Sequence, residues 1–128
     1  MKELFTRQTT SDPLALPLSG SLDFDSNAIE WQDCGAAGFS IKPLMEDQRA
    51  GLRSWLMKVE AGAYSPLHAH DEIEQIYVLE GSFYDQHKRY GPGEFIVRAA
   101  GAMHSAGSET GTVVILFYSP VENRPASD

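Results

Sequence analysis

Eleven glycines and seven prolines punctuate this 128-residue chain at short intervals, and no segment between them sustains a long helical period. Glycine interrupts regular structure through its backbone freedom, and proline through its missing N–H. The chain is thereby confined to short elements. Its best helical candidate, Asp23 to Trp31, carries capping residues but is too short to form a packed helix. From Phe39 onward the pattern is β. Phe39 to Met45 alternates and breaks at Glu46-Asp47, and Leu52 to Val59 is strand-like and ends before Gly62. Glu74 to Phe83 is rich in Ile, Tyr, Val and Leu, and Tyr90-Gly91-Pro92-Gly93 is a turn leading into Phe95-Ile96-Val97. Thr112 to Tyr118 is apolar on both faces, which predicts a strand covered on both sides.

Short strands at regular spacing predict an all-β sandwich or barrel. Residues 1–23 read as an N-terminal arm, 24–121 as the barrel and 122–128 as a flexible C-terminal tail. The hydrophobic share of 42% is enough for one core, and no apolar run approaches the ~20 residues of a membrane span. Eighteen acidic residues against ten basic give a net charge of -8 with no basic cluster, which argues against a nucleic-acid partner. Cys34 is the only cysteine, and Met1-Lys2-Glu3-Leu4 leads into polar residues rather than an apolar signal core. The expected compartment is the reducing cytoplasm.

The four histidines are unevenly placed. His68 and His70 flank a single alanine, Glu74 follows four residues later, and His104 comes after a further strand-turn-strand stretch. On a strand, residues two apart share a face with α-carbons ~6.5–7 Å apart, close enough for two imidazoles to converge on one ion. Glu74, just beyond a turn at Asp71-Glu72, can swing its carboxylate back over the pair. Imidazole and carboxylate ligands suit Fe(II), Mn(II), Ni(II) or Zn(II) and leave positions for water or substrate. A His-x-His pair alone is also common on exposed strands, so the glycines around it matter.

Read outward, the segment runs Gly62, five residues, His68-Ala69-His70, three residues, Glu74, six residues, Gly81. Downstream come Gly93, five residues, Ala99-Ala100-Gly101, two residues and His104. Both spacings resemble the two motifs of the cupin superfamily, with every metal-ligand position filled. The resemblance implies a double-stranded β-helix, a small jelly-roll barrel, with His68, His70, Glu74 and His104 as ligands of one divalent transition metal (Fe, Zn, Mn or Ni). Gly81 and Gly93 belong at turns that need positive φ. The sequence departs from the pattern at Ala99, where the second motif has proline, and at Ser108, where it closes with asparagine. Val78-Leu79-Glu80-Gly81-Ser82-Phe83-Tyr84-Asp85 and the Tyr90–Gly93 turn are similar to the group that holds the ChrR-like and acetylacetone dioxygenase-like cupins. An anti-sigma role is not expected, because such factors carry an N-terminal zinc domain for which this chain has no room and only one cysteine.

Alternation from Glu74 puts Ile76 and Val78 on the barrel interior and turns Gln75, Tyr77 and Leu79 towards a covering strand or partner subunit. Trp55, Met57, Tyr77, Phe95, Phe117 and Tyr118 read as core packing, any of which can also shape an apolar pocket above the metal. Arg53 and Arg98 lie in strand-like segments, and whichever points inward can hold a carboxylate or enolate oxygen. Glu72 replaces Glu74 as ligand if the register differs by a pair. Cys34 reads as a buried or half-buried thiol in a turn, and His87 as a solvated surface histidine.

Three functions are compatible with these residues. The resemblance favours a metal-dependent, Fe-type dioxygenase cleaving a small dicarbonyl or enolisable substrate. A second is Zn-, Mn- or Ni-dependent isomerase, lyase or hydrolase chemistry, which needs a general base from among Glu72, Tyr77 and His87. A third is a non-catalytic metal- or ligand-sensing cupin. The expected partners are a small-molecule substrate or ligand and a second copy of the chain in a two-fold homodimer, with Val113 to Phe117 as a candidate contact.

Overall fold

The computed structural model describes residues 4–121. The chain forms β1 (Phe5–Arg7), β2 (Ser21–Asp23), a 3-10 turn at Ser26–Ala28, β3 (Gln32–Asp33), β4 (Phe39–Asp47) and β5 (Leu52–Val59). It continues through β6 (Tyr64–His68), β7 (Ile73–Gly81), β8 (Phe83–Tyr84), β9 (Arg89–Tyr90), β10 (Phe95–Arg98), β11 (His104–Gly107) and β12 (Thr112–Ser119). The expected helix at Asp23 to Trp31 shrinks to the 3-10 turn, capped by Asp25, whose Oδ1 accepts the Asn27 N–H at 2.9 Å.

Two antiparallel sheets face each other in a jelly roll. One has the order β10-β7-β12-β5-β4-β3 and the other β6-β11-β8-β9. Strands from both send Phe39, Val59, Ile76, Val78, Phe83, Ala106, Val114, Leu116 and Tyr118 into a common core. Period-2 alternation produces this: on β7, Glu74, Ile76 and Val78 are at most 3% exposed, while Tyr77 and Leu79 between them are 41% and 45% exposed. Each such burial of a large apolar side chain stabilises the fold by about 1.5–3 kcal/mol.

Three expectations are corrected here. β4 includes Glu46 and Asp47 rather than breaking before them: past a register shift between Pro43 and Met45, Glu46 pairs with Arg53 and Asp47 with Leu52. Among the described residues, β12 is buried on one face only; on the other, Val113 and Ile115 are half-buried and Phe117 is 38% exposed. Tyr77, Phe95 and Phe117 consequently belong to the outer face of the larger sheet rather than to the core.

The N-terminal segment lies along the barrel. β1 and β2 pair in parallel, and Leu14 bridges to the β4 bulge, its N–H donating to Leu44 O and its carbonyl accepting from Glu46 N–H. The expected tail, 122–128, lies outside the described residues. Gly81 ends β7 at φ 75°, where a Cβ would sit 1.9 Å from the Gly111 carbonyl oxygen, so only glycine fits this crossing of two strands.

Candidate metal centre

Antiparallel pairing of β6 with β11 sets His68 directly opposite His104, with ring centroids 4.3 Å apart. β6 ends at His68, so His70 is not on the same strand, contrary to expectation; it sits in the loop leading to β7. That loop is held by the Gly101 N–H, which donates to His70 O at 2.7 Å, and the His70 ring comes within 5.1 Å of His68 and 5.5 Å of His104. One ring nitrogen from each of the three lies within 4.8 Å of the others, an arrangement that could hold a metal ion.

The tautomers follow from the hydrogen bonds. His68 Nδ1 lies 2.8 Å from Pro66 O, and His104 Nδ1 lies 3.2 Å from Ala102 O. A carbonyl only accepts, so both rings carry their proton on Nδ1 and present a lone pair at Nε2. Burial holds the His104 imidazole below its ordinary range against the opposing pull of Glu74, which keeps the ring neutral.

Glu74 extends from β7 towards the same point. Its Oε2 is 3.5 Å from His70 Nε2 and its Oε1 is 3.6 Å from His104 Nε2, both too long for hydrogen bonds. Oε1 is buried and has no hydrogen-bond partner. Arg98 Nε, also buried and unpartnered, faces it at 3.3 Å. Behind Arg98, its Nη2 donates to Asp85 Oδ2 at 2.9 Å, which also accepts from the Tyr90 hydroxyl at 3.1 Å. Burial by itself would raise the Asp85 carboxyl, but hydrogen bonds from Arg98, the Lys88 and His87 amides and Tyr90 outweigh it and hold the group below its ordinary range.

Two buried carboxylates thus share one guanidinium, and Glu74 Oε1, unlike Asp85, accepts no hydrogen bond. Buried charge is costly unless paired. Three histidine nitrogens within 4.8 Å of one another are a donor set suited to a divalent transition ion, and Glu74 borders two of them.

The cluster lies in a cavity of about 240 Å³ between the sheets, walled by Phe39, Trp55, Met57, Ile76, Leu116 and Tyr118. Tyr118 stands opposite Glu74 in the β7–β12 register, with its ring 5.4 Å from that of His70. Burial first, and then the neighbouring Glu74 charge, push its hydroxyl far above the usual range, so it stays a proton-bearing donor. Cys34 also lines this cavity but is exposed rather than buried, its Sγ–H donating weakly to Phe39 O at 3.4 Å.

Neither arginine is free to anchor a substrate. Arg98 faces Glu74 and Asp85, and Arg53 holds Glu72 through two hydrogen bonds while lying over the rings of Trp55 and Tyr118 at 4.4 and 4.2 Å. Glu72 is therefore engaged by Arg53 rather than by the histidine cluster. None of the three expected general bases lines the cavity, since Tyr77 and His87 are exposed on other surfaces. The Asp85–Arg98–Glu74 chain was not foreseen from sequence. Its one local signal was Asp85 ahead of Gln86-His87-Lys88, where an aspartate commonly accepts from amides two and three residues on, as it does here at 2.8 and 3.1 Å. At Ser108, the position of the motif's asparagine, the hydroxyl donates to Ser82 O and accepts from Gly111 N–H, so serine ties the same turn.

A jelly roll of antiparallel strands whose apolar interior gathers three histidines, two of them on one antiparallel strand pair, defines a cupin. Residues 20–122 match the model of the ChrR cupin-like domain, and the chain belongs to that family. Solved structures agree. An RmlC-like cupin from Shewanella frigidimarina NCIMB 400 is 26% identical with a TM-score of 0.64, over 73% of this chain and 86% of that one. KdgF from a Halomonas species is 28% identical with a TM-score of 0.64, over 76% and 91%. A chain in the complex of Rhodobacter sphaeroides SigE with the anti-sigma ChrR shares the fold at 24% identity and a TM-score of 0.60; the match covers 70% of this chain but only 49% of that one. No curated protein matches the sequence. Among the described residues, no helix is long and apolar enough to cross a membrane.

Proposed function

We propose that the chain is a metal-dependent cupin of dioxygenase type, acting on a small dicarbonyl or enolisable substrate, with His68, His70, Glu74 and His104 as ligands of one divalent metal. The observation that carries this reading is the orphaned Glu74 Oε1 facing the inward Nε2 side of the histidine cluster at one end of an apolar cavity. Bound there, Fe(II) would supply a Lewis acid and a centre for dioxygen activation, whereas Zn, Mn or Ni would supply the Lewis acid alone. The chain's own residues do the rest. Phe39, Trp55, Met57 and Leu116 exclude water and take the substrate's apolar part. The Tyr118 hydroxyl, held protonated, donates towards oxygen atoms at the cluster. With both arginines engaged, the cavity favours a substrate without a second anionic group.

The test is elemental analysis of untagged protein purified anaerobically, followed by oxygen-electrode assays with uncharged 2,4-diketones. Near-stoichiometric iron and substrate-dependent oxygen uptake are expected. Stable zinc or nickel with no uptake would reject the oxidative reading. The match to the ChrR cupin-like domain favours one alternative, a metal- or ligand-sensing cupin that binds without turnover. Tight binding of a diketone with no product would establish it.

The functional unit is taken as the barrel of residues 24–121 with residues 1–23 as its arm. It is proposed to work as a homodimer, in the cytoplasm, where a lone thiol such as Cys34 persists. The exposed outer face of the larger sheet supports the dimer. Phe95 pairs with Tyr77 there, and Val97 and Phe117 both flank Gln75, which clusters four exposed apolar side chains of the kind that second copies cover.

A further inference from the structure

The hairpin formed by β8 and β9 lies beside the cavity, yet its first two tip residues reach β11, which carries His104, and β10, which pairs with the strand of Glu74. Gln86 Nε2 donates to Met103 O at 3.0 Å, and Gln86 Oε1 accepts the Ser105 N–H at 3.0 Å. These two backbone groups flank His104 on either side. They also lie where the β11–β6 register is irregular: His104 pairs with His68, but Ala106 pairs with Ser65, leaving Ser105 between. The regular ladder does not brace this stretch, and the side-chain amide of Gln86 takes its place. Asp85, the adjacent residue, reaches the other side of the cluster through Arg98, which faces Glu74.

We propose that Gln86 is a positioning residue of the metal centre. Its amide spans the bulge at His104 and fixes the backbone from which that imidazole projects, while Asp85 fixes Glu74 through Arg98. One hairpin thereby sets two ligands that lie on different sheets. The inference rests on the metal-binding reading above. Its physical basis is that ligand atoms must hold their places closely, so changing the groups behind them typically weakens metal binding about 10–100-fold. Gln86 is exposed, so its replacement leaves the core intact.

The experiment is a cobalt(II) titration of the apo full-length chain, read by equilibrium affinity and by the visible absorption of the bound ion. Wild type, Gln86→Ala, Gln86→Glu and His87→Ala are compared, with urea melts of each apo form. Gln86→Ala is expected to raise the cobalt dissociation constant about tenfold or more and to change the visible spectrum. Gln86→Glu keeps the acceptor for Ser105 N–H but loses the donor to Met103 O, and should fall between. His87→Ala, at the same tip, should match wild type. A merely structural role for Gln86 predicts lower apo melting midpoints with wild-type cobalt spectra and affinity, and that result overturns the proposal. If Gln86→Ala fails to fold, Gln86→Glu decides by the same two readouts. Absence of cobalt binding by wild type would instead overturn the metal-binding reading itself, and this inference with it.

Discussion

Arg98 and Glu74 stand directly opposite each other on β10 and β7, and the guanidinium Nε lies 3.3 Å from a carboxylate Oε1 that accepts no hydrogen bond. The contact is electrostatic without being a formed hydrogen bond. Asp85 holds the other end of the guanidinium, so Arg98 is shared between two buried acids and hydrogen-bonds only one of them. The Glu74 carboxylate is left facing His70 and His104 without hydrogen-bonding either. A cation there would do for Glu74 what Arg98 does for Asp85.

Replacing Arg98 by Met should expose that balance. Removing one partner from a buried ion pair typically costs about 3–5 kcal/mol, because the surviving charge is stranded. The metal-free variant should lose stability on that scale in urea denaturation, and saturating zinc should restore part of it by neutralising Glu74. A loss below about 1 kcal/mol would mean that the triad behaves as a solvent-screened pair.

Metal itself should stabilise the fold. A ligand that binds only the native state adds about 2.7 kcal/mol at a hundredfold excess over its dissociation constant. Calorimetric melting of the chelated chain against the zinc- or iron-loaded chain should show a clear upward shift. His104→Ala should abolish the shift while the chelated forms keep the same β-sheet circular dichroism.

Asp85 predicts a pH dependence with a definite sign. Its folded carboxyl lies below the ordinary value of 3.8, so the ionised form is favoured in the native state. The stability it contributes is present above that unfolded value and is lost as pH falls through the lower, folded one. The stability gap between wild type and Asp85→Asn, measured in urea, should therefore be constant from pH 7 to about pH 5 and should narrow below pH 3.8. A gap that widens on acidification contradicts the assignment.

Association should depend on the outer sheet face. Tyr77→Glu puts a charge beside Phe95 in the middle of the exposed patch, and sedimentation should show the dimer expected of wild type converted to monomer. Cobalt affinity should stay unchanged, because Tyr77 points away from the cavity. A wild type that sediments as a monomer at micromolar concentration disposes of the dimer altogether.

The local rules of the chain were enough for much of this. Glycine and proline spacing limits elements to strand length, and period-2 alternation by itself assigns Glu74, Ile76 and Val78 to the interior. The motif spacings named the family and pointed to the three histidines that the fold gathers. Periodicity has no information about what lies beyond the second face of a strand, and this is why Tyr77, Phe95 and Phe117 read as core but are exposed.

What the sequence by itself determined was which residues face inward and which segments can be strands, because both depend on neighbours within a few positions. Only the tertiary structure decided what those residues meet. His68 and His70 converge through a loop rather than along one strand. Arg53 turns to Glu72, and Arg98 to Glu74 and Asp85. Arg53 with Glu72, and Gln86 with Ser105 beside His104, each join positions 19 residues apart. Such pairings are fixed by the register of strands brought together from across the chain, and no local pattern records that register.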